Sequence, residues 1–420
     1  MTTLFNPTDS LLIDDFDIFI RYLESKPALP LTAAGDLKAA DLWILNDRVN
    51  FKAPDYVTNR SRQIDYPLLG FLFQIATASR LFLIHFDKVT SLAANADRID
   101  RYQSLTLEEK YMFLLETAWC YADWSAIDGD GRSGVGANWF QSGIRQLVLN
   151  PAGAVVTFFE RGGSMEKNPA VIHVSFSANA YIRAGYWLGW YTIREVTRTK
   201  RDKYELDIDQ LVLTDWGQQC LTVLLRDRSF RNWNKHAGTY VYFDDNDTDM
   251  ERIDINTFAD VFRTLLDEPE LVSLYPINPN PPTGVYWIRA ELPNFKVSRT
   301  IELPVDYTLE DLHELIQRAF DFDNDHLFKF CMSLRNPYQG EQYYDPRPEE
   351  GWSDGYPADE VSLASLNLYE GQQFLYIFDF GDRWEFKITL VRHLPDERTD
   401  TTRLVDEVGE APAQYGDEEE

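Results

Sequence analysis

The sequence predicts an α+β protein, in which a mostly helical N-terminal region precedes a C-terminal sheet crossed by one helix. Apolar residues at helical spacing dominate the first 135 residues, and strict period-two alternation begins after residue 284. A single amphipathic segment, residues 308–320, interrupts that alternation. At 420 residues the chain is long enough for two or three domains, and 44% hydrophobic with 14% aromatic residues is a globular composition.

The N-terminal helices carry identifiable start and stop signals. In "TLEEKYMFLLETAWCYADW", Thr106 suits an N-cap and Glu109 follows three positions later, the pattern of a capping box. Phe113, Leu114 and Trp119 then lie on or near one side of the helix. "YPLLGFLFQIATASRLFLI" reads as a second apolar helix ending around Ser79–Arg80. The break "SAIDGDGRSGVG" has Asp128 and Asp130 at alternating positions. A calcium loop would need Asp or Asn again at Arg132 and a closing glutamate, so a polar linker is the better reading.

The middle third mixes strands and helices. In "WLGWYTIREVTRTKRDKYELDIDQLVLTDWGQQCLTVLL" a helix end leads into two extended runs, and Thr214 caps a closing helix. That order predicts a winged-helix-like segment. Its wing would carry Arg194, Arg198, Lys200, Arg201 and Lys203, placed to meet a phosphate backbone. A solvated hairpin tip has the same composition. Four prolines in "YPINPNPPTG" mark a boundary. The expected division is a helical domain at 1–135, a mixed winged-helix-like region at 136–274, a C-terminal domain at 284–416 and an acidic tail at 417–420.

Past the prolines, Tyr286, Ile288, Ala290 and Leu292 alternate with Arg289 and Glu291. Val297, Ile301 and Leu303 alternate with Lys296, Ser298, Thr300 and Glu302. Pro293-Asn294 separates the two runs, so they predict a hairpin with one buried face. Thr308 suits the N-cap of the next helix, whose stripe is Leu309, Leu312, Ile316, Ala319 and Phe320. "HLFKFCM", "QFLYIFD" and "RWEFKITLV" supply three more strands. Trp384, Phe386, Ile388 and Leu390 share one face of the last. One helix across such a sheet resembles a β-grasp, the ubiquitin-like arrangement.

"SRTIELPVDYTLEDLHELIQRAFDFDNDHLFKF", then "FLYIFDFGDRWEFKITL" and "VGEAPAQYG", together resemble the plasmid pRiA4b ORF-3-like domain. That family shows an LH pair in its helix, an HL pair before the next strand, YDFGDxW, and an ending of the GegxxPPEDxGG type. The resemblance covers residues 284–416. It departs from the pattern at Phe386, where many members have histidine, and at Ala413-Gln414, where members have Pro-Glu-Asp. The resemblance implies a fold and an association with mobile elements, but no reaction.

The triplet Asp379-Phe380-Gly381 also occurs in protein kinases, where the aspartate holds magnesium. The Gly-rich loop, strand lysine and H-R-D loop that a kinase requires are missing upstream. Between two apolar runs, Asp379–Asp382 reads as a hairpin turn, with glycine supplying positive φ and the aspartates bonding to nearby amides. His313, His326, Asp379 and Asp382 are nevertheless the right residue types for a divalent metal or an acid–base pair, and Arg299 is a candidate ligand contact. His313 borders the apolar stripe of its helix, where a hydrogen-bonded core-margin histidine is the commoner outcome. No catalytic residue, metal or cofactor is assigned.

Charge and targeting signals narrow the partners. The 68 acidic and 40 basic residues give a net charge of −28, which repels nucleic acid and anionic membranes unless basic residues cluster. Three cysteines without a CxxC pair oppose a zinc ribbon or dithiol redox motif and suit a reducing compartment. The N-terminus lacks the basic start and apolar run of a signal peptide, so the expected location is the cytoplasm, with no membrane partner. The first functional expectation is a non-catalytic interaction or mobile-element accessory protein with a protein partner. A DNA-associated factor using the 194–203 wing, and a metal-dependent hydrolase or nuclease at His313, His326, Asp379 and Asp382, are the alternatives.

Overall fold

The protein, a computed structural model, is described over residues 10–86, 88–128, 133–158, 171–172, 179–197, 200, 208–236, 255–334, 337, 340–347 and 356–415. Packing divides it between Pro276 and Ile277 into two units, with His85–Lys88 grouped with the second. The fold is α+β, with helices prevailing in the first unit and a large sheet in the second. No helix among the described residues is long and apolar enough to cross a membrane.

The first unit opens with α1 (Leu11–Glu24), β1 (Leu29–Pro30), α2 (Ala39–Arg48) and α3 (Pro67–Ala78). Pro67 starts α3, where a missing N–H costs no intrahelical bond. Ser79 caps its end, and Arg80 takes a left-handed φ of 57°. That reversal launches β2 (Phe82–Phe86), which with β1 and β3 (Thr90–Ala94) makes a three-stranded sheet in the order β1-β3-β2. The sequence reading contained no strand here, because a short apolar run after a helix does not declare its period.

Then follow α4 (Ala96–Gln103) and α5 (Leu107–Glu116). The capping box expected before α5 forms: the Glu109 N–H donates to Thr106 Oγ1 at 3.3 Å, and the Thr106 N–H to Glu109 Oε2 at 2.9 Å. A π-helical turn, Thr117–Tyr121, extends α5. Next come α6 (Trp124–Asp128) and α7 (Ser133–Leu147). Asp130 and Arg132 lie outside the described residues. The core is aromatic: Phe16 packs edge-on to Tyr102 at 5.4 Å, and Trp124 stacks on Tyr181 at 4.3 Å.

The rest of this unit runs β4 (Val155–Phe158), β5 (Val171–Ile172), α8 (Asn179–Trp187), β6 (Tyr191–Glu195), β7 (Ile208–Leu213) and α9 (Asp215–Asp227). The short helices α10 (Phe230–Trp233) and α11 (Arg263–Leu266) follow. Thr214 caps α9 as expected, accepting from the Gly217 N–H at 2.9 Å. The β6–β7 hairpin is present, but β7 also pairs with β4, in a four-stranded sheet ordered β5-β4-β7-β6. The hairpin is therefore part of a four-stranded sheet, with β6 at its edge. Arg198, Arg201 and Lys203 lie outside the described residues.

In the second unit β8 (Val285–Leu292) and β9 (Val297–Pro304) form the expected hairpin, with Leu292 opposite Val297. α12 (Leu309–Phe320) begins at a Thr308–Asp311 capping box and buries Leu309, Leu312, Ile316 and Phe320. β10 (Phe328–Cys331), β11 (Gln342–Tyr344), β12 (Tyr356–Pro357), β13 (Gln373–Phe378), β14 (Trp384–Leu394) and β15 (Arg403–Val408) complete a sheet ordered β12-β11-β10-β13-β14-β8-β9-β15. Phe386, Ile388 and Leu390 face the core under α12.

One helix crosses the sheet, as read. In this sheet β8 runs antiparallel to β14, and among the described residues the short β11–β12 pair is the parallel one. β11 and β12 lie between "HLFKFCM" and "QFLYIFD", where the sequence predicted no strand. β15 follows the last strand that the sequence predicted; residues 417–420 are outside the described set.

Candidate functional site

The turn between β13 and β14 is the centre of the candidate site. Phe378 pairs with Trp384 across it, so the DFG triplet is a hairpin connection. Asp379 Oδ1 accepts from the N–H groups of Gly381 (2.9 Å) and Asp382 (3.3 Å). The positive φ angles fall on Asp379 (52°) and Arg383 (57°), not on Gly381 as the sequence reading had it. Aspartate tolerates the left-handed region because its carboxylate bonds the turn's own amides.

With Oδ1 committed to the turn, Asp379 Oδ2 faces His326 Nε2 at 3.5 Å. Asp325 Oδ1 lies 3.7 Å from the same nitrogen, and the Tyr415 hydroxyl 3.3 Å. That hydroxyl donates to Asp325 Oδ2 at 2.5 Å, which holds the Asp325 carboxyl below its usual range and pushes the Tyr415 phenol up to about 12. Gln414 fastens the returning chain: its Nε2 donates to Tyr415 Oη and Asp325 Oδ1, and its Oε1 accepts from the Asp323 N–H. The result is a half-exposed imidazole held among two carboxylates and a phenol. Among the described residues no group of three or more His, Cys, Asp or Glu side chains is arranged to hold a metal ion.

The remaining candidates go elsewhere. His313 is buried, stacked on Phe328 at 3.8 Å between ring centroids. Its Nε2 meets Asn324 Oδ1 at 2.7 Å and its Nδ1 meets the Tyr376 hydroxyl at 2.6 Å, so neither nitrogen is left for a metal. Gln317 Nε2 donates to the same hydroxyl at 2.6 Å, which leaves the Tyr376 O–H to donate to Nδ1 and the Nε2–H to donate to Asn324.

Burial pulls the His313 imidazole down to about 4, so the folded unit holds it neutral. The unfolded chain protonates it near 6.5. This contribution is therefore fully present above pH 6.5 and is lost as pH falls through about 4, amounting to about 3 kcal/mol. Urea-dependent hydrogen exchange on β10 and β13 should show stability rising from pH 5.5 to 7.5, with that slope absent in His313→Gln.

Arg299 occupies the inward parity of β9 with Val297 and Ile301. Its guanidinium donates to the carbonyls of Ala319 near the end of α12, of Val408 at the end of β15 and of Gly409 just after it, and lies over the Phe320 ring at 5.3 Å. It ties helix to edge strand. Asp382 lines a separate cleft with Leu292, Asn294, Phe295, Arg383, Trp384 and Glu385, about 550 Å³ in volume. Phe295 is 50% exposed there and packs against Trp384 at 5.5 Å. In the first unit, Arg194 makes two 2.8 Å bonds to the Asp209 carboxylate across β6–β7. Lys200 lies in a bend, exposed.

Of the predicted residues, then, His326 and Asp379 come together, Asp382 joins them only through its backbone amide, and His313 and Arg299 belong to the packing. Asp325, Gln414 and Tyr415 were not predicted. Their one signal was the C-terminal "GEAPAQYG" motif, which brings the chain back to the HL pair.

Residues 286–416 match the plasmid pRiA4b ORF-3-like protein family. The matched stretch begins in β8 and includes His326, Asp379 and Tyr415. A curated relative, the uncharacterized protein y4hQ of Sinorhizobium fredii, is 36% identical over 118 residues, which are 28% of this chain and 57% of the relative. The match thus spans little more than half of that relative's length. The crystal structure of a protein of unknown function, MM3350 from Methanosarcina mazei Go1, aligns with 31% of this chain and 72% of its own, at 23% identity and a TM-score of 0.26. Phe386, standing where many ORF-3-like sequences have histidine, is a core residue, 4.9 Å from Phe320 and 5.3 Å from Tyr376 between ring centroids.

Proposed function

We propose that this is a non-catalytic interaction protein, serving as an accessory factor of mobile elements, whose ORF-3-like domain docks a protein partner at the β8–β9 and β13–β14 turns. The observation that carries this reading is the cleft there. A half-exposed Phe295 covers Trp384, and Asn294, Asp382, Arg383 and Glu385 form a polar rim. An aromatic centre inside a polar rim is the composition of a protein-recognition patch. The mobile-element association draws on the family resemblance alone.

Two features weigh against the alternatives. The engaged nitrogens of His313 leave a metal-dependent hydrolase only His326 and the neighbouring carboxylates. Arg194, tied to Asp209, and a net charge of −28 oppose tight binding to DNA.

The test is photo-crosslinking from benzoylphenylalanine placed at Phe295, with Val391 as a control position, in the source cells. A single partner should be captured at 295 only, and after purification its Kd should weaken about tenfold or more in Phe295→Asp. It should be unchanged in His326→Ala. Stoichiometric manganese or zinc binding with a hydrolytic activity lost in His326→Ala would overturn the reading. So would a gel shift at physiological salt that is lost on reversing the 194–203 charges.

A further inference from the structure

The geometry points to a small-molecule site in the N-terminal unit that takes a planar organic anion, a one- or two-ring compound bearing a carboxylate. A cavity of about 500 Å³ opens between the loop after α2, the start of α3, α8 and the end of β6. That volume lies in the range of small-ligand sites. Three of its walls come from one helix face: Arg183, Tyr186 and Trp187 stand at i, i+3 and i+4 of α8. Phe51 closes the opposite side, meeting Tyr186 at 5.2 Å with the rings 68° apart.

The polarity of the cavity runs from a cation within to an anion at the mouth. The Arg183 side chain is 7% exposed, whereas Glu195, whose Oε1 lies 2.6 Å from Arg183 Nη1, is 53% exposed. A guanidinium buried to that depth requires an anionic partner. One anionic partner, Glu195, sits half in water at the last position of β6, beside a register shift between Arg194 and Glu195. A ligand carboxylate reaching Arg183 from the mouth of the cavity can take the place of Glu195, which swings out to solvent. A cationic group carried to the inner end of the cavity would have to approach the buried arginine.

The wall opposite α8 is preformed. The N–H groups of Asn50 and Phe51 donate to the buried Asp15 carboxylate at 2.5 and 3.1 Å. The Ala53 N–H donates to Asn46 Oδ1 at 2.8 Å, and Lys52 Nζ to the carbonyls of Asn46 and Asp47. The loop carrying Phe51 is thus pinned to α1 and α2 without a ligand, and little ordering cost attends binding.

Calorimetry on the full chain with 2-naphthoate and its neutral counterpart 2-naphthamide tests the site. Naphthoate should bind one-to-one, with the amide weaker by about tenfold or more. Glu195→Gln removes the competing carboxylate from a half-exposed position and should tighten naphthoate binding several-fold. Phe51→Ala should weaken both compounds, and Arg183→Met should abolish the preference for the acid. Equal affinity for acid and amide, no heat with either wild type or Glu195→Gln, or weaker binding in Glu195→Gln would each overturn the assignment. If Arg183→Met fails to fold, the acid–amide comparison on wild type and Glu195→Gln still decides it.

Discussion

Gly217→Ala should destabilise the N-terminal unit by about 3 kcal/mol or more, although alanine is the better helix former by about 1 kcal/mol. Gly217 lies in the first turn of α9, where its N–H donates to Thr214 Oγ1. A methyl group there would fall 1.8 Å from the carbonyl oxygen of Trp190 and 2.5 Å from its carbonyl carbon. Those are backbone atoms and cannot rotate aside. They are also fixed: the Trp190 N–H donates to the Gly185 carbonyl, and its own carbonyl accepts from the Thr214 N–H at 3.0 Å. Alanine therefore forces α9 away from the start of β6, and the aromatic packing around Trp190 opens with it.

Gly70, inside α3, supplies the contrast, because its nearest neighbour beyond the helix is the Gln63 carbonyl oxygen at 3.8 Å. Gly70→Ala should be neutral or stabilising by about 0.5–1 kcal/mol. Urea unfolding followed by tryptophan fluorescence reads both variants. A Gly217→Ala protein as stable as wild type would show that α9 does not contact the backbone of Trp190.

The elements legible in the sequence are those that bury one face. β8, β9 and β14 alternate in sequence because one side of each lies against the core under α12, and the Thr106 and Thr308 caps are local chemistry. Thr300 and Glu302, on the other side of β9, are buried as well. Arg299 was read as a candidate ligand contact, although its shared parity with Val297 and Ile301 already placed it on the inward side of β9. β15 was not legible. As an edge strand paired only with β9 it is exposed along almost its whole length, and a backbone ladder needs no apolar side chains. Its register shift between Leu404 and Asp406 and its acidic side chains also discourage a further strand from adding there.

The candidate site shows the same division. The Asx-type bonding of Asp379 is a local property that the DFG letters announce. The meeting of His326 with Asp325 and Tyr415 depends on the chain returning about ninety residues later, which no local pattern encodes.

Glu116 carries the largest expected pH effect. It is 1% exposed at the end of α5, where Oε2 accepts from Ser273 Oγ at 2.7 Å and Oε1 has no hydrogen-bond partner among the described residues. Burial pushes its carboxyl up to about 8, with the Ser273 bond and the positive charges of Arg228 and Arg98 opposing and Asp260 adding to the rise. In the unfolded chain the same acid ionises near 4.5. Between those values the folded unit keeps a proton that the unfolded chain has released. The contribution is therefore fully present below pH 4.5 and is lost as pH rises through about 8, a span worth about 5 kcal/mol.

Glu116→Gln keeps the shape and a donor for the buried position but cannot ionise. It should match wild type at pH 5.5 more closely than at pH 8.5, where it should be the more stable by several kcal/mol. Hydrogen exchange on α5 peptides, read against urea, isolates this unit. The chain's overall charge of −28 also disfavours compactness as pH rises, but that repulsion is nearly common to both proteins and cancels in the comparison. Parallel pH profiles for the two would mean that Glu116 is ionised in the folded protein, held by Arg98 and Arg228.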